Sequence, residues 1–118
     1  MEGISPEGMD EQQLDMYWRG ASVELINKHR VLVFGKSTCP YCIRVKDLFK
    51  KLGVEFFAYE FDQEGDDGLR MKKAMHQYTG KTSVPQVFIK GKHIGGCDDT
   101  MSAHDKGEIQ KLLQNGCS

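Results

Sequence analysis

Residues 31–42 read VLVFGKSTCPYC, in which a short apolar run leads into a C-x-x-C pair. The uninterrupted run at residues 31–35 is typical of a strand buried on both faces. Residues 36–38 predict a turn, and Pro40 suits the first position of a helix, where its missing N–H leaves no hydrogen bond unmade. A C-x-x-C pair placed where a strand turns into a helix is typical of a redox-active dithiol.

The two cysteines of this motif have different predicted environments. Cys42 continues the apolar stripe of the predicted helix, which ends at Gly53, whereas Cys39 precedes that stripe at the helix N-terminus. Backbone N–H groups and the helix dipole lower the pKa of a thiol at the N-terminus, and Lys36 adds a positive charge nearby. Burial raises the pKa of a thiol, as we expect for Cys42. We therefore predict that Cys39 attacks disulfides as a thiolate and that Cys42 resolves the product.

Further helices and strands are predicted on both sides of this unit. A helix begins after Asp10, which forms a capping box with Gln13, and Gly20 and Ser22 leave open whether that helix is continuous. The downstream pattern predicts a strand over 54–61, an acidic loop over 62–68 and a helix that stops at 79–80. A second strand over 86–89 is followed by a turn at 91–92 and a strand at 93–94. The last predicted helix is capped by Asp98 or Asp99 and interrupted near Gly107.

This order of elements predicts an α/β fold. One β-α-β crossover followed by a hairpin gives a mixed four-stranded sheet with helices on both faces, preceded here by an N-terminal helix. We expect residues 1–9 to form a flexible tail and residues 10–118 to form a single domain.

Composition limits the possible partners. The 118 residues include 16 basic and 17 acidic side chains, and this balance disfavours a strongly basic nucleic-acid module. The longest apolar run, residues 31–34, is much shorter than a membrane span of about 20 residues. Because the first eighteen residues carry acids such as Glu2 and Glu7 but no Lys or Arg, we expect neither a signal peptide nor a transit peptide. The predicted setting is the reducing cytoplasm, with no nucleic-acid or membrane partner.

The cysteine spacing also bears on two structural alternatives. A disulfide framework is typical of smaller, exported domains and is disfavoured here. A structural zinc site needs a second close pair of ligands, but Cys97 and Cys117 stand twenty residues apart and His76, His93 and His104 are scattered singly. We expect no metal.

Three motifs, taken in order, resemble those of dithiol glutaredoxins. They are KSTCPYC at residues 36–42, TSVPQVFI at residues 82–89 and IGGCDD at residues 94–99. The resemblance spans residues 31–113 and implies a thioredoxin fold with glutathione as co-substrate. It also implies activity, as a monomer, on glutathionylated or disulfide-bonded proteins.

The resemblance implies a glutathione site, position by position. Lys36 and Tyr41 would flank the glutathione thiol, and Val84, before a cis Pro85, would pair main chain to main chain with the cysteinyl unit. At the start of the last helix, the backbone N–H groups of Cys97 and Asp98 would hold the γ-glutamyl carboxylate, and the Asp98 carboxylate would meet the ammonium group.

The glycyl end of glutathione is where this sequence departs from the family. Glutaredoxins usually have threonine where Ser83 stands, and they often have a basic residue where Thr82 stands. The glycyl carboxylate would therefore be held less strongly here, by Lys72 or by Lys81.

Three other functions remain as alternatives. The first is a thioredoxin-like reductant, which is disfavoured because the chain lacks the Trp-Cys-Gly-Pro-Cys pattern. The second is that the chain is one domain of a larger reductase. An iron–sulfur carrier would use Cys39 and glutathione as cluster ligands. Glutaredoxins that resemble cluster carriers usually have Ser or Gly where Pro40 stands, and proline stiffens the turn around Cys39, so we expect no cluster.

Overall fold

The structure is a computed structural model that describes residues 8–114. Its helices and strands are α1 Glu11–Lys28, β1 Val31–Gly35, α2 Pro40–Lys51, β2 Phe57–Glu60, α3 Gly65–Thr79, β3 Gln86–Ile89, β4 Lys92–Gly95, α4 Cys97–Asp105 and α5 Glu108–Gln114. A short 3-10 helix, Phe61–Gln63, joins β2 to α3. Most of the predicted tail and Cys117 lie outside the described residues, so the predicted division into tail and domain stays a prediction.

The four strands form one mixed sheet in the order β2-β1-β3-β4. β1 runs parallel to β2, with Leu32 opposite Phe57, and antiparallel to β3, with Phe34 opposite Gln86. β3 and β4 form the predicted antiparallel hairpin. All five residues of β1 are buried, as expected for a central strand covered on both faces. The predicted mixed four-stranded sheet is confirmed.

Helices cover both faces of the sheet. Leu32 and Phe34 point to one side, where they pack with α1 and α3, and Val31 and Val33 point to the other, where they pack with α2, α4 and α5. This alternation follows from the two-residue period of a strand. Consequently α2, which carries the C-x-x-C pair, and α4 lie on the same face and contact each other.

The N-terminal helix α1 is continuous. Asp10 and Gln13 form the predicted capping box, in which the Gln13 backbone N–H donates to Asp10 Oδ1 at 2.8 Å. Ser22 does not break the helix, because its buried hydroxyl donates to the carbonyl of Arg19 at 2.9 Å. Among residues 8–114, no helix is both long and apolar enough to cross a membrane.

The predicted boundaries around β2 are wrong. The strand begins at Phe57 rather than at Val54, because the backbone N–H of Val54 donates to Phe49 O at 2.9 Å and so caps α2 instead of pairing in the sheet. The strand ends before Phe61, whose buried side chain belongs to the apolar layer under α1 and α3. The expected acidic loop is shorter than predicted, because α3 already begins at Gly65.

Two later boundaries are also displaced. The hairpin turn lies at Lys90 and Gly91, whose φ angles of 52° and 82° give the backbone twist that tight hairpins need, rather than at Gly91 and Lys92. The cap of α4 is Gly96, so Asp98 and Asp99 lie inside the first helical turn. Asp99 still serves the helix end, since its carboxylate accepts from the Gly96 backbone N–H at 3.3 Å.

Candidate active site

The dithiol lies where β1 passes into α2. Cys39 is the N-cap residue of α2 and Pro40 occupies the first turn, as predicted. The backbone N–H of Cys39 donates to Lys36 O at 3.2 Å and closes the turn, while Ile43 N–H donates to Cys39 O at 3.0 Å and starts the helix. This geometry leaves the Cys39 side chain half-buried at the rim and places Cys42 inside.

The pKa of Cys39 is lowered in spite of partial burial, which acts in the opposite direction. The sulfur accepts hydrogen bonds from the backbone N–H and thiol of Cys42 and from the backbone N–H of Tyr41. Lys36 adds a favourable positive charge. Because each of these contacts stabilises the thiolate, Cys39 is the more readily ionised thiol of the pair.

The pKa of Cys42 is raised to about 12, chiefly by burial. The nearby Cys39 and the carboxylate of Glu60 raise it further, whereas a hydrogen bond from the Lys36 backbone N–H, at 3.5 Å, acts in the opposite direction. Both directions agree with those that the sequence predicts for the two thiols.

A second contact fixes the turn that precedes Cys39. The Ser37 backbone N–H donates to Asp62 Oδ1 at 3.0 Å, and the Ser37 hydroxyl donates to the other carboxylate oxygen. These two hydrogen bonds lower the pKa of Asp62. They tie the turn to the segment that follows β2, so the position of Cys39 depends on the sheet as well as on α2.

A cleft of about 510 Å³ lies beside this turn. Six residues that the sequence analysis assigned to the site line it: Tyr41, Ser83, Val84, Pro85, Cys97 and Asp98. Cys97 is buried, and burial together with the charges of Asp98 and Cys39 raises its pKa, while Arg44 lowers it. Tyr41, which lies between the two cysteines of the dithiol, lines the cleft, so the cleft adjoins the C-x-x-C turn.

The buried side-chain amide of Gln86 stabilises the wall of the cleft around Pro85. The Val84–Pro85 peptide bond is cis, as predicted. Gln86, which is fully buried, donates through Nε2 to Ser83 O at 3.0 Å, and its Oε1 lies 2.7 Å from His93 Nε2. This chain of hydrogen bonds joins the Ser83–Val84 segment to β3 and β4 and holds its backbone in one position.

The opposite wall is the N-terminus of α4. Gly95 has a φ of 125°, and a Cβ there would lie 2.3 Å from Asp99 Oδ2, so only glycine fits. A Cβ on Gly96 would lie 3.4 Å from the carbonyl oxygen of Pro85, which shows how closely the two walls approach. The first turn of α4, whose backbone N–H groups have no partner within the helix, contributes Cys97 and Asp98 to the cleft lining.

Two of the residues assigned to glutathione binding, Lys36 and Lys72, lie outside the cleft lining, as do the two cysteines of the dithiol. Lys36 is exposed on the turn and acts through its charge and its backbone N–H. Lys72 is half-buried on α3. The pKa of the nearby His76 is lowered chiefly by burial and further by the charge of Lys72. The ring of His76 also contacts the backbone of Thr82, and Lys72 itself is not among the residues that line the cleft.

A larger cleft of about 580 Å³ lies at the other end of β1. Its lining includes Lys28, Arg30, Phe57 and Leu113 but no cysteine. Since disulfide chemistry requires a thiol, the smaller cleft beside Cys39 is the candidate active site. Within residues 8–114, no three Cys, His, Asp or Glu side chains are grouped so that they could hold a metal ion.

Comparisons with a family model and with known proteins point to the same protein family. A family model described as Glutaredoxin matches residues 31–94. Glutaredoxin-C6 from Oryza sativa subsp. japonica is 48% identical over 90 residues, which are 76% of this chain and 80% of that protein. The chain belongs to the glutaredoxin family.

Solved glutaredoxins share the fold. The buckwheat glutaredoxin–glutathione complex superposes with a TM-score of 0.81 at 44% identity, covering 91% of this chain and 96% of that one. A mutated buckwheat glutaredoxin gives a TM-score of 0.85 at 39% identity, covering 90% of this chain and 96% of that one. The predicted thioredoxin fold is confirmed, and the chain is a glutathione-dependent thiol–disulfide oxidoreductase.

Arg44 lines the cleft of this glutaredoxin, although the sequence pattern did not predict it as a site residue. The apolar stripe of α2 assigns Arg44 to the side away from the core, yet the residue lines the cleft together with residues of the neighbouring helix α4. Lys81, named above as an alternative for the glycyl end, also lines it, as do Gln86 and Asp99. Arg44 follows Tyr41 by one helical turn, and this i, i+3 spacing was the available signal.

A Lys36→Glu variant tests whether the positive charge of Lys36 lowers the pKa of Cys39. In a Lys36→Glu variant, a negative charge replaces the positive charge that favours the thiolate, so we expect the pKa of Cys39 to rise. Alkylation of Cys39 by iodoacetamide, followed by mass spectrometry across a pH series, then has its midpoint at higher pH and is slower at neutral pH. Lys50→Glu, on an exposed position near the other end of α2, leaves the midpoint in place. Equal midpoints in wild type and Lys36→Glu contradict the role of Lys36.

Proposed function

We propose that this chain reduces glutathionylated proteins and protein disulfides with glutathione, using Cys39 as the nucleophile and Cys42 as the resolving thiol. The supporting observation is the opposite displacement of two thiol pKa values within one C-x-x-C turn, next to an open cleft. A lowered pKa provides a thiolate at neutral pH, and a raised pKa keeps the second thiol protonated until it is needed.

The proposed glutathione site uses the two walls of the cleft. The backbone of Val84 would pair with the cysteinyl unit, with Ser83 beside it, and the free N–H groups of Cys97 and Asp98 would hold the γ-glutamyl carboxylate. Support for this assignment comes from the cleft geometry and from the glutathione complex of the buckwheat relative.

Two positively charged residues of the cleft are candidates to bind the glycyl carboxylate of glutathione. Lys81 lies on the Ser83 side and Arg44 on the Cys97 side. We propose Lys81 rather than Lys72 for the glycyl carboxylate, because Lys81 lines the cleft and Lys72 does not.

The reaction proceeds by two thiol–disulfide exchanges. The Cys39 thiolate attacks the glutathionyl sulfur of the substrate, the protein thiolate leaves and takes up a proton, and Cys39 becomes glutathionylated. A second glutathione thiolate then attacks the glutathionyl sulfur and releases glutathione disulfide and the Cys39 thiolate. Alternatively, Cys42 attacks Cys39, which releases glutathione and forms the Cys39–Cys42 disulfide.

A coupled assay tests this function. The reduced protein is mixed with a small glutathione mixed disulfide, glutathione, glutathione reductase and NADPH. Enzyme-dependent NADPH consumption supports the proposal. Absence of turnover here, with turnover when thioredoxin reductase is the only reductant, would favour the thioredoxin-like alternative.

Cluster binding is a separate, testable property of the turn. A bridging iron–sulfur cluster requires the turn around Cys39 to open toward a second chain, and Pro40 fixes its own φ and restricts Cys39. We therefore expect a colourless protein after anaerobic purification with glutathione, and cluster binding in a Pro40→Ser variant. Iron and acid-labile sulfide assays check both, and wild-type protein with one cluster per two chains, lost in Cys39→Ser, contradicts the expectation.

The proposed reaction needs one protein chain, glutathione and a reducing environment. We accordingly propose that the chain acts as a monomer in the cytoplasm. Sedimentation analysis of the reduced protein tests the first part, and fluorescence imaging of the tagged full-length protein tests the second.

A further inference from the structure

An ion pair lies beside the buried thiol of Cys42. Lys46, one turn further along α2, contacts Glu60 Oε2 at the end of β2, and each side chain is only 16% exposed. The other carboxylate oxygen, Oε1, faces β1. A Cβ built on Gly35 would lie 2.7 Å from Cys42 Sγ and 4.0 Å from Glu60 Oε1. The sulfur and the carboxylate therefore meet over the same glycine, close enough for their charges to interact.

The charges around Cys42 come from three parts of the fold. α2 contributes Cys39 and, through its contact with Glu60, Lys46. The turn after β1 contributes Lys36, whose backbone N–H donates to the Cys42 sulfur. β2 contributes Glu60. When Cys39 is held in a mixed disulfide it carries no charge, whereas the negative charge of Glu60 continues to act on Cys42.

We propose that the Lys46–Glu60 ion pair sets how often Cys42, rather than a second glutathione, resolves the mixed disulfide at Cys39. This inference rests on the proposed function. The negative charge of Glu60 disfavours the Cys42 thiolate, so it slows the internal route and leaves time for glutathione to act. Lys46 offsets part of that charge and keeps the internal route available.

The step under control is one thiol–disulfide exchange. Cys42 releases its proton to solvent, and its thiolate attacks Cys39 Sγ of the Cys39–glutathione mixed disulfide. The Cys39–Cys42 bond forms, the bond between Cys39 and glutathione breaks, and the glutathione thiolate leaves and is protonated. The two protein sulfurs are oxidised to a disulfide while the glutathionyl group is reduced to glutathione.

Removal of one charge at a time tests the proposal. Reduced protein is mixed with a glutathionylated peptide without free glutathione, quenched in acid at intervals, and analysed by mass spectrometry for the mixed disulfide and the Cys39–Cys42 disulfide. At pH 7 we expect the internal step to be about tenfold faster in Glu60→Gln and several-fold slower in Lys46→Met, with the pH profile displaced to lower and higher pH respectively.

The opposite signs distinguish electrostatics from structural damage. Loss of packing or folding would slow the step in both variants, so effects of the same sign overturn the proposal. A slower step in Glu60→Gln alone also overturns it and would instead indicate that Glu60 accepts the Cys42 proton. The double variant Lys46→Met/Glu60→Gln removes both charges together and gives an intermediate rate, and circular dichroism verifies the fold of each variant.

Two controls locate the effect at Cys42. Lys50→Met removes the same charge from an exposed position of α2 and leaves the rate of the internal step within twofold of wild type, a range of about 0.4 kcal/mol. In a Cys42→Ser background with free glutathione, the difference between Glu60→Gln and Lys46→Met disappears. If Cys42→Ser has no glutathione-supported activity, the proposed function fails; if that activity is present but the opposite-sign effect is missing, only the ion-pair inference fails.

Discussion

Cys39→Ser is expected to lose both glutathione-supported deglutathionylation and reduction of protein disulfides, by more than about 10³-fold. The serine hydroxyl is not ionised at neutral pH, so the hydrogen bonds from Cys42 and Tyr41 that favour a thiolate have no anion to stabilise. The coupled glutathione reductase assay and the reduction of a disulfide-bonded protein measure the two activities.

Cys42→Ser is expected to separate these activities. Deglutathionylation continues, because a second glutathione can resolve the mixed disulfide on Cys39, whereas reduction that requires a dithiol is lost. Cys97→Ser is the matched control, since it replaces the third cysteine of residues 8–114 but keeps the backbone N–H at the start of α4, and both activities stay within a few-fold of wild type. If Cys42→Ser is as inactive as Cys39→Ser in deglutathionylation, the assignment of roles is wrong.

Gly35→Ala is expected to lower the free energy of unfolding by about 1–3 kcal/mol, the usual cost of overpacking a core. The added methyl group would lie 2.7 Å from Cys42 Sγ and 3.2 Å from Cys42 Cβ, so the first turn of α2 must move. Because that turn holds both thiols, we also expect the dithiol reaction to lose more activity than glutathione-supported deglutathionylation. Urea unfolding and the two assays measure these effects.

Gly20→Ala is the matched control for this substitution. Gly20 lies within α1, and a Cβ there meets nothing within 4 Å. Alanine should therefore raise the free energy of unfolding by about 0.5–1 kcal/mol through helix propensity alone. Equal effects of the two substitutions would show that the contact between Gly35 and Cys42 does not limit packing.

The sequence motifs predicted most of the fold because their signals are local. The capping box at Asp10, the buried run of β1 and Pro40 at the start of α2 each depend on a few neighbouring residues, and all three are found in the structure. The errors lie where a distant contact outweighs local preference. Val54 has the residue type of a strand but caps α2, and the acids near the start of α4 stand inside the helix because Gly96 takes the cap position.

The dithiol chemistry proposed for this protein is predicted by local sequence alone. A C-x-x-C pair between a buried strand and a helix places one thiol at the helix N-terminus and the next in the apolar stripe, so the directions of both pKa shifts follow from spacing alone. The identity of the reactive pair therefore needs no long-range information.

The surroundings of that pair depend on tertiary contacts. The cis-proline loop and α4 approach each other closely at Gly96, and the cleft there is lined by Arg44 of α2 but not by Lys72 of α3. Glu60 of β2 comes near the Cys42 sulfur over Gly35 of β1, and it pairs there with Lys46 of α2. These contacts join residues far apart in the chain, and their positions depend on how the sheet twists and the helices pack, which spacing within one segment does not encode.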